Sequence, residues 1–429
     1  MLPPLASTAL IAALLASPGP EAVPPELTFD DAVRIARERS PDLAIADAAV
    51  AAARAQERAA GALPNPSAAF TMGWSSQCGD PGCDRPAFGA ALGDQGAVSF
   101  LVTGQRGLAV DAAAQGVRAA EAARADAQRG LEFDVKRQFV AASVSWRGVE
   151  YGEREAARAR EAVGLARRRR AAGEIPPGDL SRLELLQLQI EQGIDAARLG
   201  FQQERLALAQ LLGLADGAPT FTVVVGPTAT ATPPARLAAA TLPGLLARAR
   251  ERRPDLAAAR AQLESARSAA ALARRRVIPA FQLQAQYAQQ GQAGGWFTPP
   301  TAGFGISLPL PVLYQQQGEI GAADAAVAAA EAAVAKVEAR VATEVASSFA
   351  AFESTRRAAR RAEQQLVALS RDVRESVSAD YARGTASLLD YLDTQRVRIA
   401  NEVEYLGVLR AFWVAVFDVE RAVGESFVP

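Results

Sequence analysis

Residues 37–43 read RERSPDL and residues 250–256 read RERRPDL, so Pro41 and Asp42 return as Pro254 and Asp255, 213 positions later. The register persists down the chain. Gly173, Asp179 and Gly213 return as Gly384, Asp390 and Gly424 at an offset of 211, a slip of two residues. Solenoid and propeller repeats have periods of ~20 to 50 residues, so a period this long marks a duplicated structural half.

Composition fits a helical object. Alanine is the commonest residue among the 429, and Gly and Pro collect in a few places, as in long helices broken by defined loops. Forty-six basic against 47 acidic residues leave a net charge of −1, which gives no field for nucleic acid, and nucleic-acid binding is excluded as an expectation. There is no histidine, which removes the commonest metal ligand and general base. No catalytic site, cofactor or metal site is expected. Residues 5–16 are apolar and precede Ser17-Pro18-Gly19-Pro20, which marks residues 1–20 as an export signal and predicts a mature chain with no N-terminal lipid. Nothing later approaches the ~18 apolar residues of a membrane-spanning helix, so a membrane crossing must use strands. Cys78 and Cys83, the two cysteines, lie in a Gly/Pro/Asp-rich loop, where a disulfide in an exported protein is the expectation.

The repeats occupy residues 21–213 and 242–424, with a linker at 214–241 and a tail at 425–429. Each reads helix, strand, strand, very long helix, long helix. The opening helices run over 28–61 and 242–277. Phe70, Met72 and Trp74 alternate in one half; in the other Phe281, Leu283, Ala285 and Tyr287 alternate with Gln282, Gln284 and Gln286, the period of half-wet strands. Strands are expected near 66–74 and 97–103, and near 280–288 and 303–310. Residues 105–172 and 317–383 contain no proline, enough for helices of about 100 Å each. Helices over 180–212 and 388–423 return from these, with a seven-residue seam at Leu392, Ile399, Leu406 and Trp413. Four strands cannot sit alone in oil with unpaired edges, so the sheet must close between chains, and an open lumen favours three chains over two.

The chain resembles the TolC family of outer-membrane efflux proteins. The residues that carry the resemblance are SPDL within 27–43, GALPNP at 61–66, TGQR at 103–106, LPLPVLYQQQG at 308–318 and YARGTASLLDYLD at 381–393. GALPNP and LPLPV are most similar to the branch serving heavy-metal exporters. The resemblance implies a mainly α fold with a small transmembrane β part: a homotrimer whose twelve-stranded β-barrel in outer-membrane lipid continues as a long α-helical barrel through the periplasm. It implies a passive exit duct for a periplasmic adaptor (membrane fusion protein) and an inner-membrane pump of RND type, with heavy-metal cations as one expected cargo. It also assigns residues: Asp390 and Asp393 lining the closed gate, Asp179 and Tyr381 in the bond network that keeps it shut, and the turns at Gly173 and Gly384 as adaptor-docking points. Ala386 stands where the family's best-known member has an arginine, so any closing salt bridge there must differ. The competing reading of Asp390 is a helix cap. At the level of the whole chain the alternatives are a type I secretion exit duct, and a periplasmic coiled-coil scaffold, which leaves both amphipathic hairpins without a purpose.

Overall fold

A computed structural model describes residues 23–75, 85–214, 219, 221–224, 226, 229–291 and 297–428. The expected export signal, Cys78 and Cys83 lie outside them. The chain opens with β1 (Glu26–Leu27), then α1 (Phe29–Arg39) and α2 (Pro41–Gly61). Thr28 caps α1 by accepting the Asp31 amide at 3.2 Å, and Asp30 and Asp31 sit at the positive end of the helix dipole. One helix over 28–61 was expected, but it is two, because Pro41 has no amide to donate and holds Ser40 in extended backbone (φ −63°, ψ 124°). The second half repeats the break: α7 (Leu242–Arg252) and α8 (Pro254–Arg275) part at Arg253, with φ −71° and ψ 119°.

Strands β2 (Ser67–Ser75) and β3 (Arg85–Gly93) form the first hairpin. The strand expected near 97–103 is instead a short helix, α3 (Ala97–Val102). Its apolar residues mimic a strand, but the Asp94 carboxylate accepts the Gly96 amide at 3.1 Å and the Val98 amide at 3.2 Å and so starts a helical turn. The true partner of β2 lies earlier. Then come α4 (Gln105–Ala171) and α5 (Pro177–Leu211). The linker pairs β4 (Thr222–Val223) in parallel with β1 and adds a turn, α6 (Ala235–Ala238).

After α8 the second hairpin is β5 (Gln282–Gln290) and β6 (Thr301–Ser307). Its ladder stops three residues short of the expected 310, since Pro309 and Pro311 cannot donate to it. The helix expected over 317–383 is α9 (Gln317–Arg361) and α10 (Val367–Arg383), joined by a π-helical turn (Ala362–Leu366). Helix α11 (Leu388–Val423) returns.

Each half closes on itself in the same way. A Cβ at Gly213 would lie 2.8 Å from the Arg39 carbonyl, and one at Gly424 would lie 3.3 Å from the Arg252 carbonyl; both glycines have positive φ, 69° and 78°. The end of the return helix therefore packs directly on the proline kink, which is why the two motifs recur together.

The large core gathers around the linker. Phe29 meets Phe139 edge-on at 5.5 Å and stacks on Phe417 at 5.7 Å, while Trp413 donates to the Thr230 carbonyl at 3.0 Å. Buried within it, Lys136 donates to Glu420 at 2.7 Å and lies over the Phe29 and Phe417 rings. The other oxygen of Glu420 accepts the amides of Phe427 and Val428 at 2.6 and 2.7 Å. One carboxylate thus ties α4, α11 and the tail together.

Beside the second kink, buried Arg253 donates to Asp255 at 2.6 Å and to Glu344 at 2.5 Å. Burial, the largest single influence, would raise the Asp255 pKa, but the bond and charge of Arg253 together with Arg129 and Arg340 outweigh it and lower the pKa to about 2 from an ordinary 3.8. A depressed carboxylate pKa stabilises the fold above the unfolded value, and that contribution fades as pH falls through the folded one. Asp255→Asn is therefore expected to cost about 2 kcal/mol at neutral pH. In denaturant titrations of the detergent-solubilised protein, its deficit against wild type should close as pH falls from 3.8 to about 2. Lys136→Met should cost about 3 kcal/mol by stranding a buried carboxylate. Adding Glu420→Gln, which keeps an oxygen for the two amides, should recover most of that loss in thermal denaturation.

Candidate functional site

Two parts of the molecule carry the candidate residues: the four-stranded sheet at one end and the helix turns at the other. The four strands lie in the order β2-β3-β5-β6, every neighbour antiparallel. Because Met72 pairs with Phe88, Phe88 with Gln289, Ala90 with Tyr287 and Ala285 with Phe304, the register sorts side chains by face. One face carries Phe70, Met72, Trp74, Phe88, Leu92, Leu283, Tyr287, Phe304 and Ile306. The other carries Thr71, Gln282, Gln284, Gln286, Thr301, Ser307 and five glycines. Phe70 and Phe304 are 84% and 92% exposed, so the oily face has no cover within one copy. On the wet face, glycines make room for larger neighbours. A Cβ at Gly305 would approach the Gln284 amide to 2.9 Å, and one at Gly89 would collide with Thr71.

At the far end, α4 turns into α5 and α10 into α11. Gly173 and Gly384, the expected docking points, are both exposed, and with φ of 78° and 81° they end their helices in left-handed turns. A small separate cluster holds the two turns together: Val163, Ala166, Leu183 and Leu186 from the first half meet Leu388 and Leu392 from the second. Tyr381 packs on this cluster and stacks on Tyr391, ring centres 4.8 Å apart and planes 22° apart.

The four candidate gate residues divide into two environments. Tyr381 and Asp179 share a field: burial pushes the Tyr381 phenol up, Arg169 opposes this, and the Asp179 carboxylate adds to it. Asp179 also lies 3.6 Å from Arg182 in the first turn of α5. Asp390 and Asp393 stand on the exposed surface of α11. Asp390 forms a full capping box with Ser387, accepting its amide at 3.2 Å and its hydroxyl at 2.6 Å while Ser387 accepts the Asp390 amide. The cap reading of Asp390 is thus realised. Asp393 is free of the cap and borders a groove between α10 and α11 with Ser370, Val373 and Val397. Tyr391 was not singled out from the sequence, although it sits inside the LLDYLD motif between the two aspartates.

Among the described residues there is no group of three or more metal-ligating side chains, and no helix is long and apolar enough to cross a membrane.

Relatives share this architecture. A cobalt-zinc-cadmium resistance protein, CzcC of Cupriavidus metallidurans, is 24% identical over 322 residues, covering 75% of this chain and 74% of its own. A Pseudomonas aeruginosa membrane protein superposes with a TM-score of 0.74 at 23% identity over 92% of both chains. CusC does so with a TM-score of 0.75 at 18% identity over 93% of this chain and 92% of its own. The MtrE outer membrane channel of Neisseria gonorrhoeae, in its open state, gives 0.70 at 20% identity over 92% of this chain and 89% of its own. The outer membrane efflux protein model matches residues 32–214 and 245–425, one match for each half, so the chain belongs to the outer membrane efflux protein family and is an outer-membrane channel of an efflux system.

Proposed function

We propose that three copies of this chain close a twelve-stranded barrel in outer-membrane lipid and continue it as a helical tunnel, forming the exit duct of a tripartite efflux system. The observation that carries this reading is the division of the four-stranded sheet into an oily and a wet face with both outer edges open. An even strand count lets β6 of one copy meet β2 of the next in the same antiparallel alternation, a head-to-tail contact that closes a ring. The oily face then meets lipid and the glutamine face lines water. Apolar side chains also stand exposed on both helical hairpins, Leu185, Leu188, Leu199 and Leu206 on α5 and Leu369, Val373 and Val403 on α10 and α11, as lateral contacts between copies require.

The turns at Gly173 and Gly384 meet the adaptor, which in turn carries an RND-type pump. At the tip Asp393, with Asp390, forms the carboxylate ring of the gate, and the Tyr381–Asp179 pair helps to hold it shut. Likeness to CzcC supports divalent heavy-metal cations as cargo.

The gate assignment separates from the cap by measurement. Asp390→Ala should cost about 1 kcal/mol of helix stability, whereas Asp393→Ala should cost almost nothing. Both together should raise single-channel conductance in planar bilayers and weaken block by multivalent cations. If conductance and block are unchanged in the double variant, the aspartates are not the gate. For the cargo, deleting the gene in its host should lower the tolerated concentration of cobalt, zinc or cadmium. Unaltered tolerance to all three would remove heavy metals from the reading.

A further inference from the structure

The α4–α5 hairpin meets the α9–α11 hairpin along a seam that ion pairs cross at different heights. Lys136–Glu420 lies in the large core, and Glu204–Arg410, at 3.1 Å, lies close by, because the Gln138 amide reaches Glu204 at 2.6 Å. The next crossing pair is Glu155–Arg398. At 1.5 Å per residue, Glu155 lies about 26 Å down α4 from Gln138 and about 24 Å above the end of the helix. It lies between the core and the tip.

Its setting is unusual for a charge pair. Glu155 is 4% exposed, and the Arg398 side chain 14%. The Arg398 guanidinium lies over the Tyr151 ring, 5.3 Å from its centre, and Glu155 also accepts from Arg158. Above the pair is a groove floored by Gly148 and Gly152 and walled by Ile194 and Val403; below it is a cavity bordered by Leu183 and Tyr391. Glu155 borders both. The groove and the cavity interrupt the packing of the seam on either side of the pair, so at this height the ionic contact helps to hold it shut. A buried pair of this kind adds little net stability when intact, yet removing one partner strands the other in a poorly solvated site. Such a contact has two discrete states, made or broken.

The opposite helix supplies a place to bend. Asn401 donates to Ser370 at 2.7 Å, which sets those two positions level, so the π-helical turn Ala362–Leu366 lies above Arg398. A π turn is a locally underwound segment and a common site of helix bending.

We propose that Glu155–Arg398 is a latch: it holds the lower α10–α11 arm on the first hairpin in the closed channel, and it must part before the arm swings about the π turn and the aperture widens. Glu155 and Arg398 are positioning residues in this scheme, and the proposal rests on the reading of the chain as a gated duct.

The test uses the full-length protein in planar bilayers, with Glu155→Gln, Arg398→Met and the exchange Glu155→Arg/Arg398→Glu. Each single variant should raise open-state occupancy by about tenfold, and the exchange should bring it back towards wild type. Amide hydrogen exchange over residues 388–401 should quicken in the single variants, while the amides around Trp413 keep their protection. A conducting wild type with unchanged occupancy in both single variants overturns the latch and leaves the duct intact. Faster exchange along all of α11, in the exchange variant as well, would show a purely structural pair and also overturns it. A wild type that never conducts overturns the duct reading, and the latch with it.

Discussion

The open edges of the four-stranded sheet constrain everything else. Strands β2 and β6 each have one side with no neighbour, and their oily face is bare. In hydrocarbon an unpaired amide or carbonyl costs several kcal/mol, so a sheet of this kind survives there only when another chain completes it. The edge problem also explains the wet face. A closed sheet crowds side chains on its inner surface, and Gly89, Gly303 and Gly305 leave room there for Thr71, Gln286 and Gln284.

The helical part follows a different logic. Its large core lies at the belt, where β1, β4 and the linker wrap the long helices and where Glu420 gathers Lys136 and the tail amides. Among the described residues the tip has a small apolar cluster, one tyrosine stack and surface ion pairs such as Arg167–Glu184. Rigidity is thus concentrated midway along α4, about 50 Å from either of its ends, and the tip is held by a smaller set of contacts. Low local stability is what a moving element requires.

Much of this was legible in the sequence, because it is written in periods. The duplication appeared as RERxPDL at two places, the long helices as proline-free runs, and β5 as alternating glutamines. What failed was local chemistry. Strand β3 (Arg85–Gly93) escaped notice because Ala and Gly fill its inner face, so only Phe88, Ala90 and Leu92 alternate against residues that carry little signal. Helix α3 passed for a strand because its Val, Phe and Leu outweighed the cap at Asp94. The kinks at Pro41 and Pro254 stood in the quoted motif itself, yet the helical pattern on either side hid them. The π turn has no residue code, and Glu155–Arg398 joins positions far apart in the chain, which only the folded seam brings together.

The most direct measurement of the central claim is the mass of the particle extracted from outer membranes in mild detergent, read by native mass spectrometry. The account predicts three copies of the chain, held together without crosslinker until the sheet is unfolded. A stable single copy whose strands are shielded by its own helices would contradict it.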